Sequence, residues 1–136
     1  MEKVLTFLKK NFVTTIATSS NDKPRTSIVE YYMIGDSLVF ATSVTSIKAN
    51  NLKANNRISL SVATMPQFVT LDGTVTTPTN EEIEAYNKLL LAKHPEFVEM
   101  MSKGMIGPFV YYKVLIDTVY FNDYSTGMAP TEIIKA

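Results

Sequence analysis

The pattern of apolar and polar positions along the chain predicts a mainly β protein with a few helices. Strict alternation, or runs of β-branched and aromatic residues, predicts six strands: residues 12–18, 25–33, 38–42, 57–63, 67–76 and 109–122, the last being one bent strand or two. Helical spacing predicts four helices: residues 2–11, 46–54, 79–94 and 96–103. The tail from residue 123 has no clear pattern and is predicted to be a loop.

The order of these elements favours one closed sheet. Polar turns join the first three strands, so two successive hairpins form an antiparallel meander. Closing six antiparallel strands into a barrel removes the exposed edges. We therefore expect an α+β, mainly β fold: a small six-stranded antiparallel split β-barrel with peripheral helices, in a single domain over residues 1–136.

A few single residues refine this prediction. Thr79 and Glu82 have the spacing of a helix-capping box. Gly73 is expected to mark a β-bulge, and Asn55 is expected to end a helix in the left-handed conformation. His94, which precedes a proline at a helix end, is expected to be a solvated cap.

Composition narrows the function classes. Thirteen basic and thirteen acidic side chains cancel, which argues against nucleic-acid binding driven by bulk charge. The chain has no cysteine and one histidine, so thiol chemistry is excluded, and a histidine metal site or a Ser-His-Asp triad is disfavoured; no metal is expected. No apolar run approaches a membrane span, and the absence of cysteine fits a cytoplasmic protein.

The most informative stretch is residues 38–48, where an apolar strand leads through a hydroxyl-rich turn into a helix. Helix starts carry unpaired N–H groups and partial positive charge, so they attract anions, and a lysine adds a full charge. The stretch predicts a pocket for a phosphate monoester. The alternative is an ordinary capped helix with the lysine in solvent. The polar side chains concerned are Thr42, Ser43, Thr45, Ser46 and Lys48.

Around this stretch, residues 12–62 resemble the pyridoxamine phosphate oxidase-like superfamily, the FMN-binding split barrels. Both the residue types and the spacing from the arginine of the second strand to the Ser-x-Lys agree; beyond residue 62 only the element order does. The matching segments are Ile16-Ala17-Thr18, Lys23-Pro24-Arg25, Val39-Phe40-Ala41-Thr42, Ser46-Ile47-Lys48 and Asn56-Arg57.

The resemblance implies a homodimer that binds FMN at the subunit interface, and it names candidate cofactor-binding residues. By similarity, the phosphate would be held by Arg25, Thr42, Ser46 and Lys48. The flavin ring would be bordered by Ser27, Ile28 and Val29, and the flanking Ala41 and Ile47 complete the candidate set. No catalytic side chain is indicated, in keeping with chemistry centred on the cofactor.

Departures from the family pattern argue against a true pyridoxine phosphate oxidase. Glu30 stands near a position where those enzymes carry lysine, Ile47 stands where they carry arginine, and their basic C-terminal segment has no counterpart. Glu30 is expected to point away from the phosphate. Three functions stay open: an FMN-dependent oxidoreductase, a non-catalytic flavin-binding protein or electron carrier, and a barrel that binds another planar cofactor, a deazaflavin or haem.

Overall fold

The computed structural model describes residues 1–136 and contains seven strands and four helices. In chain order they are α1 Glu2–Lys9, β1 Val13–Ser20, β2 Lys23–Ile34, β3 Ser37–Ser43, α2 Ile47–Ala54, β4 Arg57–Thr64, β5 Gln67–Thr76, α3 Asn80–Lys93, α4 Glu96–Ser102, β6 Phe109–Asp123 and β7 Glu132–Lys135. The region left open as one strand or two is therefore a single strand, β6.

The first six strands form a closed antiparallel barrel, which confirms the predicted fold. The strand order is β3-β2-β1-β4-β5-β6, and an additional pairing of β3 with β6 closes the sheet. The predicted loop after residue 123 was wrong in part, because β7 pairs with the second half of β6. β6 runs past the end of β3 and so offers a free edge there, and Ile134 packs against the barrel core.

Two backbone features set the strand register. Asn21 and Asp22 both have positive φ, which makes the β1–β2 connection a two-residue hairpin, so β2 begins two residues before the predicted start. At Gly73 the register of β5 on β6 shifts, as expected of a bulge. A Cβ atom on Gly73 would lie 2.3 Å from the Leu115 carbonyl oxygen, so only glycine permits this close approach.

The barrel interior holds the main core, and α1 packs against one end of it. Eighteen buried apolar side chains form this core. The fully buried Tyr31 donates its hydroxyl to the Leu8 carbonyl at the end of α1 (2.8 Å). Outside the barrel, Tyr86 and Leu90 of α3 pack against Val39 of β3. The helix α3 therefore forms a wall on the outer face of β2 and β3.

The helix α2 is fixed against the end of β1 by two asparagine side chains. Asn51 donates to Thr18 Oγ1 (3.1 Å) and Asn55 donates to Ser19 Oγ (3.2 Å). The helix ends at Asn55 as predicted, but Asn55 is extended (φ −145°) and not left-handed: its side chain is held by β1 and its backbone leads directly into β4. None of the helices is long and apolar enough to cross a membrane.

Candidate functional site

A cavity of about 300 Å³ lies where β2 and β3 meet the helices α2, α3 and α4. Seven of its eleven lining residues are apolar, and the remainder offer hydroxyl, ammonium, imidazole and carboxylate groups, the mixture typical of small-molecule sites. We refer to it as the junction cavity. Its lining residues are Ile28, Val29, Glu30, Ala41, Thr42, Lys48, Tyr86, Leu90, His94, Phe97 and Phe109.

One end of the junction cavity is the start of α2, which carries the predicted phosphate ligands. Ser46 caps the helix by accepting the Ala49 N–H (3.2 Å), and it accepts a hydrogen bond from Thr42 Oγ1 (3.3 Å). Lys48, one turn into the helix, is half-buried and makes no ion pair. An unpaired ammonium beside hydroxyls and a helix start is suited to an anion.

Arg25 lies on the other side of the α2 start. It lines a neighbouring depression of about 400 Å³ together with Ile47 and Asn51. The β2–β3 register, extended past its last pair, places Thr42 level with Val29, about 13 Å along the strand from Arg25 at roughly 3.3 Å per residue. Arg25 therefore lies beside α2, in the same depression as Ile47. Lys48 lies in the junction cavity together with Thr42.

Ser27 carries the one buried side-chain polar atom that has no hydrogen-bond partner. Its hydroxyl oxygen is shielded from solvent, although the residue as a whole is half-buried, and it does not line the junction cavity. Buried polar atoms are nearly always satisfied in folded proteins. The hydroxyl therefore lies on the strand that borders the cavity but does not face the cavity itself.

The wall beside these polar groups is apolar. Ile28 is 72% exposed although it lies in the middle of a strand, whereas its neighbour Val29 is buried. Ala41 lies on β3 and lines the same cavity. This face offers the apolar neighbours that a planar ring requires. The residues present thus fit a ligand with a phosphate at one end and a planar ring at the other.

The end of the junction cavity away from α2 is built around His94. Its Nε2 lies 2.8 and 2.9 Å from the two carboxylate oxygens of Glu30, its Nδ1 lies 3.4 Å from Glu96, and its ring stacks on Phe97. The hydrogen bond with Glu30 raises the pKa of His94, with a further contribution from Glu96. His94 ends α3 as the predicted cap, but its side chain is not free in solvent, because the carboxylate of Glu30, which also accepts from Tyr32, holds the imidazole against β2.

Five of the predicted residues line the junction cavity, but six of its lining residues were not predicted. The predicted five are Ile28, Val29, Ala41, Thr42 and Lys48; the others are Glu30, Tyr86, Leu90, His94, Phe97 and Phe109. The spacing of Tyr86 and Leu90 on α3 did indicate an apolar face. The helices were expected to be peripheral, but nothing in the sequence indicates that this face lines the same cavity as Lys48 of α2.

A larger cavity, of about 640 Å³, lies on another part of the molecule, between α1, β6 and the C-terminal tail. Only three of its eleven lining residues are hydrophobic, and Lys3 inside it is paired with Glu132. This wide, polar depression also contains three carboxylates, those of Glu2, Asp123 and Glu132, which oppose an anionic ligand, so it offers less to a planar phosphate ester than the junction cavity does.

Comparisons with known proteins identify the family. The model of the family described as pyridoxamine 5'-phosphate oxidase matches residues 1–123. The chain belongs to the pyridoxamine 5'-phosphate oxidase family. A comparison with curated proteins found no significant match.

Several solved structures share this family fold at low sequence identity. A heme binding protein from Mycobacterium smegmatis is 20% identical with a TM-score of 0.75, covering 98% of this chain; this chain spans 57% of that protein's length. A FAD-binding protein from Mesorhizobium loti is 20% identical with a TM-score of 0.68, covering 87% and 88% of the two chains. A NimC/NimA family protein from Clostridium acetobutylicum is 19% identical with a TM-score of 0.71, covering 100% and 92%. At these identities the likeness concerns the fold alone.

Proposed function

We propose that the chain binds FMN in the junction cavity and acts as an FMN-dependent oxidoreductase other than a true pyridoxine phosphate oxidase. The observation that carries the proposal is the unpaired Lys48, placed with Thr42 in the same cavity as the apolar wall of Ile28. Lys48, Thr42 and the α2 start would hold the phosphate, with Arg25 reaching it from the neighbouring depression. Bound FMN supplies hydride or electron transfer, and the protein supplies position and electrostatics.

We propose further that FMN is enclosed by a second copy of the chain. Ile28 borders the junction cavity and is 72% exposed, which is unusual for an isoleucine in the middle of a strand. A cavity of about 300 Å³ is also at the lower end of the range for ligand pockets. Light scattering should therefore give a dimer. A monomer that retains FMN would contradict this part of the proposal.

The surroundings of the one histidine, His94, favour flavin over haem as the cofactor. Both ring nitrogens of His94 face carboxylates, which favours the protonated imidazole, and a protonated imidazole has no lone pair for iron. Because one structural relative is a heme binding protein and another is a FAD-binding protein, the test below must distinguish the two cofactor classes. A deazaflavin would use the same planar wall and phosphate end.

The absorbance spectrum of freshly purified protein, followed by mass spectrometry of any released small molecule, tests the cofactor. We expect the two bands of oxidised flavin and the mass of FMN. A Soret band, a deazaflavin mass, or a colourless protein that also fails to bind added FMN would overturn the proposal.

A second measurement separates the enzyme from a carrier. With FMN bound, an oxidoreductase should consume NADH or NADPH continuously in the presence of an electron acceptor. A flavin-binding protein or electron carrier would be reduced once and slowly, and it would show no sustained turnover.

A further inference from the structure

His94 lies between two carboxylates, one near each ring nitrogen. Nε2 lies 2.8 Å from Glu30 of β2, and Nδ1 lies 3.4 Å from Glu96 of α4. A neutral imidazole has one donor nitrogen and one acceptor nitrogen, whereas the imidazolium donates from both. Deprotonation would remove the charge that attracts both carboxylates and would turn one lone pair towards a carboxylate, so the arrangement is most stable when His94 is charged.

The element that depends most on this arrangement is α4. None of the residues of α4 is buried, and Val98 is 56% exposed. Phe97 is its main apolar contact: the ring stacks on His94 with 4.7 Å between centroids and lines the junction cavity. In contrast, α3 is anchored independently by Tyr86 and Leu90 and by the Lys113–Glu82 ion pair (3.1 Å). Loss of the His94 contacts would therefore release α4 before α3.

We propose that His94 is a positioning residue whose protonated form clamps α4 to β2, so that Phe97 covers the junction cavity and the bound ligand is retained. Loss of the proton releases α4, and the cavity then holds its ligand less tightly. Only the identity of the ligand, FMN, rests on the proposed function; the clamp itself is a property of the chain.

The charges around His94 give the direction of the pH dependence. The groups that face it or line the same cavity are Glu30 and Tyr32 on β2, Glu96 on α4, Tyr86 on α3 and Lys48 on α2; the adjacent Lys93 lies over the Phe12 ring instead. The two carboxylates in direct contact raise the pKa of His94 above its usual 6.5. The clamp is thus complete below pH 6.5 and is lost as the pH rises through the raised pKa.

The clamp can be tested without any ligand, because the chain has one histidine and no tryptophan. The ring C–H resonances of His94 in proton NMR should titrate above pH 6.5, and Glu30→Gln should lower that midpoint. The tryptophan fluorescence of a Phe97→Trp variant should change with pH at the same midpoint, because the indole ring moves away from the His94 ring when α4 is released. Fluorescence that is flat while His94 titrates, or a His94 midpoint unchanged by Glu30→Gln, would overturn the clamp.

The consequence for ligand binding is best measured with riboflavin, because the phosphate of FMN itself titrates near pH 6. Between pH 6 and pH 8.5 the affinity should fall by about tenfold, within the usual range of coupling between sites. His94→Gln should bind weakly at both pH values, and His94→Lys, which keeps its charge, should restore binding at pH 8.5. Lys93→Gln, one residue away, is the matched control and should keep the pH dependence of the parent chain.

The outcomes separate the two proposals. If neither riboflavin nor FMN binds at any pH, the proposed function fails, and the NMR and tryptophan measurements still decide whether the clamp exists. If flavins bind but their affinity is the same at pH 6 and pH 8.5, or if His94→Gln binds as tightly as the parent, the role of His94 in ligand retention is refuted and the cofactor assignment stands.

Discussion

Replacement of Lys48 by alanine tests the phosphate end of the junction cavity. Lys48 is half-buried, unpaired and lines the cavity together with Thr42, so its bond to a phosphate would be charge-assisted and only partly screened. Such bonds contribute about 1.5–3 kcal/mol, which corresponds to a roughly 10- to 100-fold loss of FMN affinity. Arg25 is exposed and lies in the neighbouring depression, so Arg25→Ala should cost at most about 1 kcal/mol, or roughly fivefold.

The assay is titration of the apoprotein with FMN and, separately, with riboflavin, followed by flavin fluorescence. Lys48→Ala should weaken FMN binding and leave riboflavin binding nearly unchanged, because riboflavin lacks the phosphate. Lys53→Ala is the matched control: it removes the same charge from the exposed part of the same helix. An equal loss for FMN and riboflavin, or a loss in Lys53→Ala as large as in Lys48→Ala, would refute the assignment.

Substitutions at three positions test the elements that support the site, by urea unfolding and, for Ser46→Asp, also by titration with FMN. Ser46→Ala should destabilise the fold by about 1 kcal/mol through loss of the helix cap, whereas Ser46→Asp should keep the cap but abolish tight FMN binding by repelling the phosphate. Tyr31→Phe should lower the free energy of unfolding by about 1 kcal/mol. The Leu8 carbonyl then loses the phenol hydroxyl as a donor but keeps the backbone N–H of Asn11. Gly73→Ala should cost about 1–3 kcal/mol, because its Cβ meets the backbone of β6 at 2.3 Å. Unchanged stability of Ser46→Ala, Tyr31→Phe or Gly73→Ala would contradict the contact concerned, and tight FMN binding by Ser46→Asp would contradict the phosphate site.

The barrel could be predicted because the alternation of apolar and polar residues within each strand is visible in the local sequence. The alternation of Ile58, Leu60 and Val62 marks a strand with one buried face, and all three side chains are buried in the barrel. The bulge at Gly73 and the capping box of Thr79 were also visible in the sequence, and both are confirmed. In each case the signal and the structure lie within a few residues of one another.

The elements that were mispredicted depend on contacts distant in sequence. His94 and Glu30 are 64 positions apart, so no local pattern around the His94-Pro95 helix end could show that the imidazole is held by β2. Similarly, the strand character of residues 132–135 depends on the free edge that β6 offers beyond β3. The helices were expected to lie outside the barrel, but no local pattern indicated that α3 would pack on β3, where it completes the junction cavity.

Glu30 is one of the departures that, by the resemblance, distinguish this chain from the pattern of the true oxidases. Where those enzymes carry a lysine, this chain places a carboxylate that is occupied by an imidazole and a phenol. The carboxylate therefore faces the protein's own donors and is not free to oppose a phosphate at the α2 start.

A crystal structure of the protein with FMN added tests the central claim most directly. We predict that the phosphate lies within hydrogen-bond distance of Lys48 Nζ and the Thr42 hydroxyl at the start of α2, with the ring against Ile28. Density for FMN in the larger cavity between α1 and the C-terminal tail, or a phosphate remote from Lys48, would contradict the account.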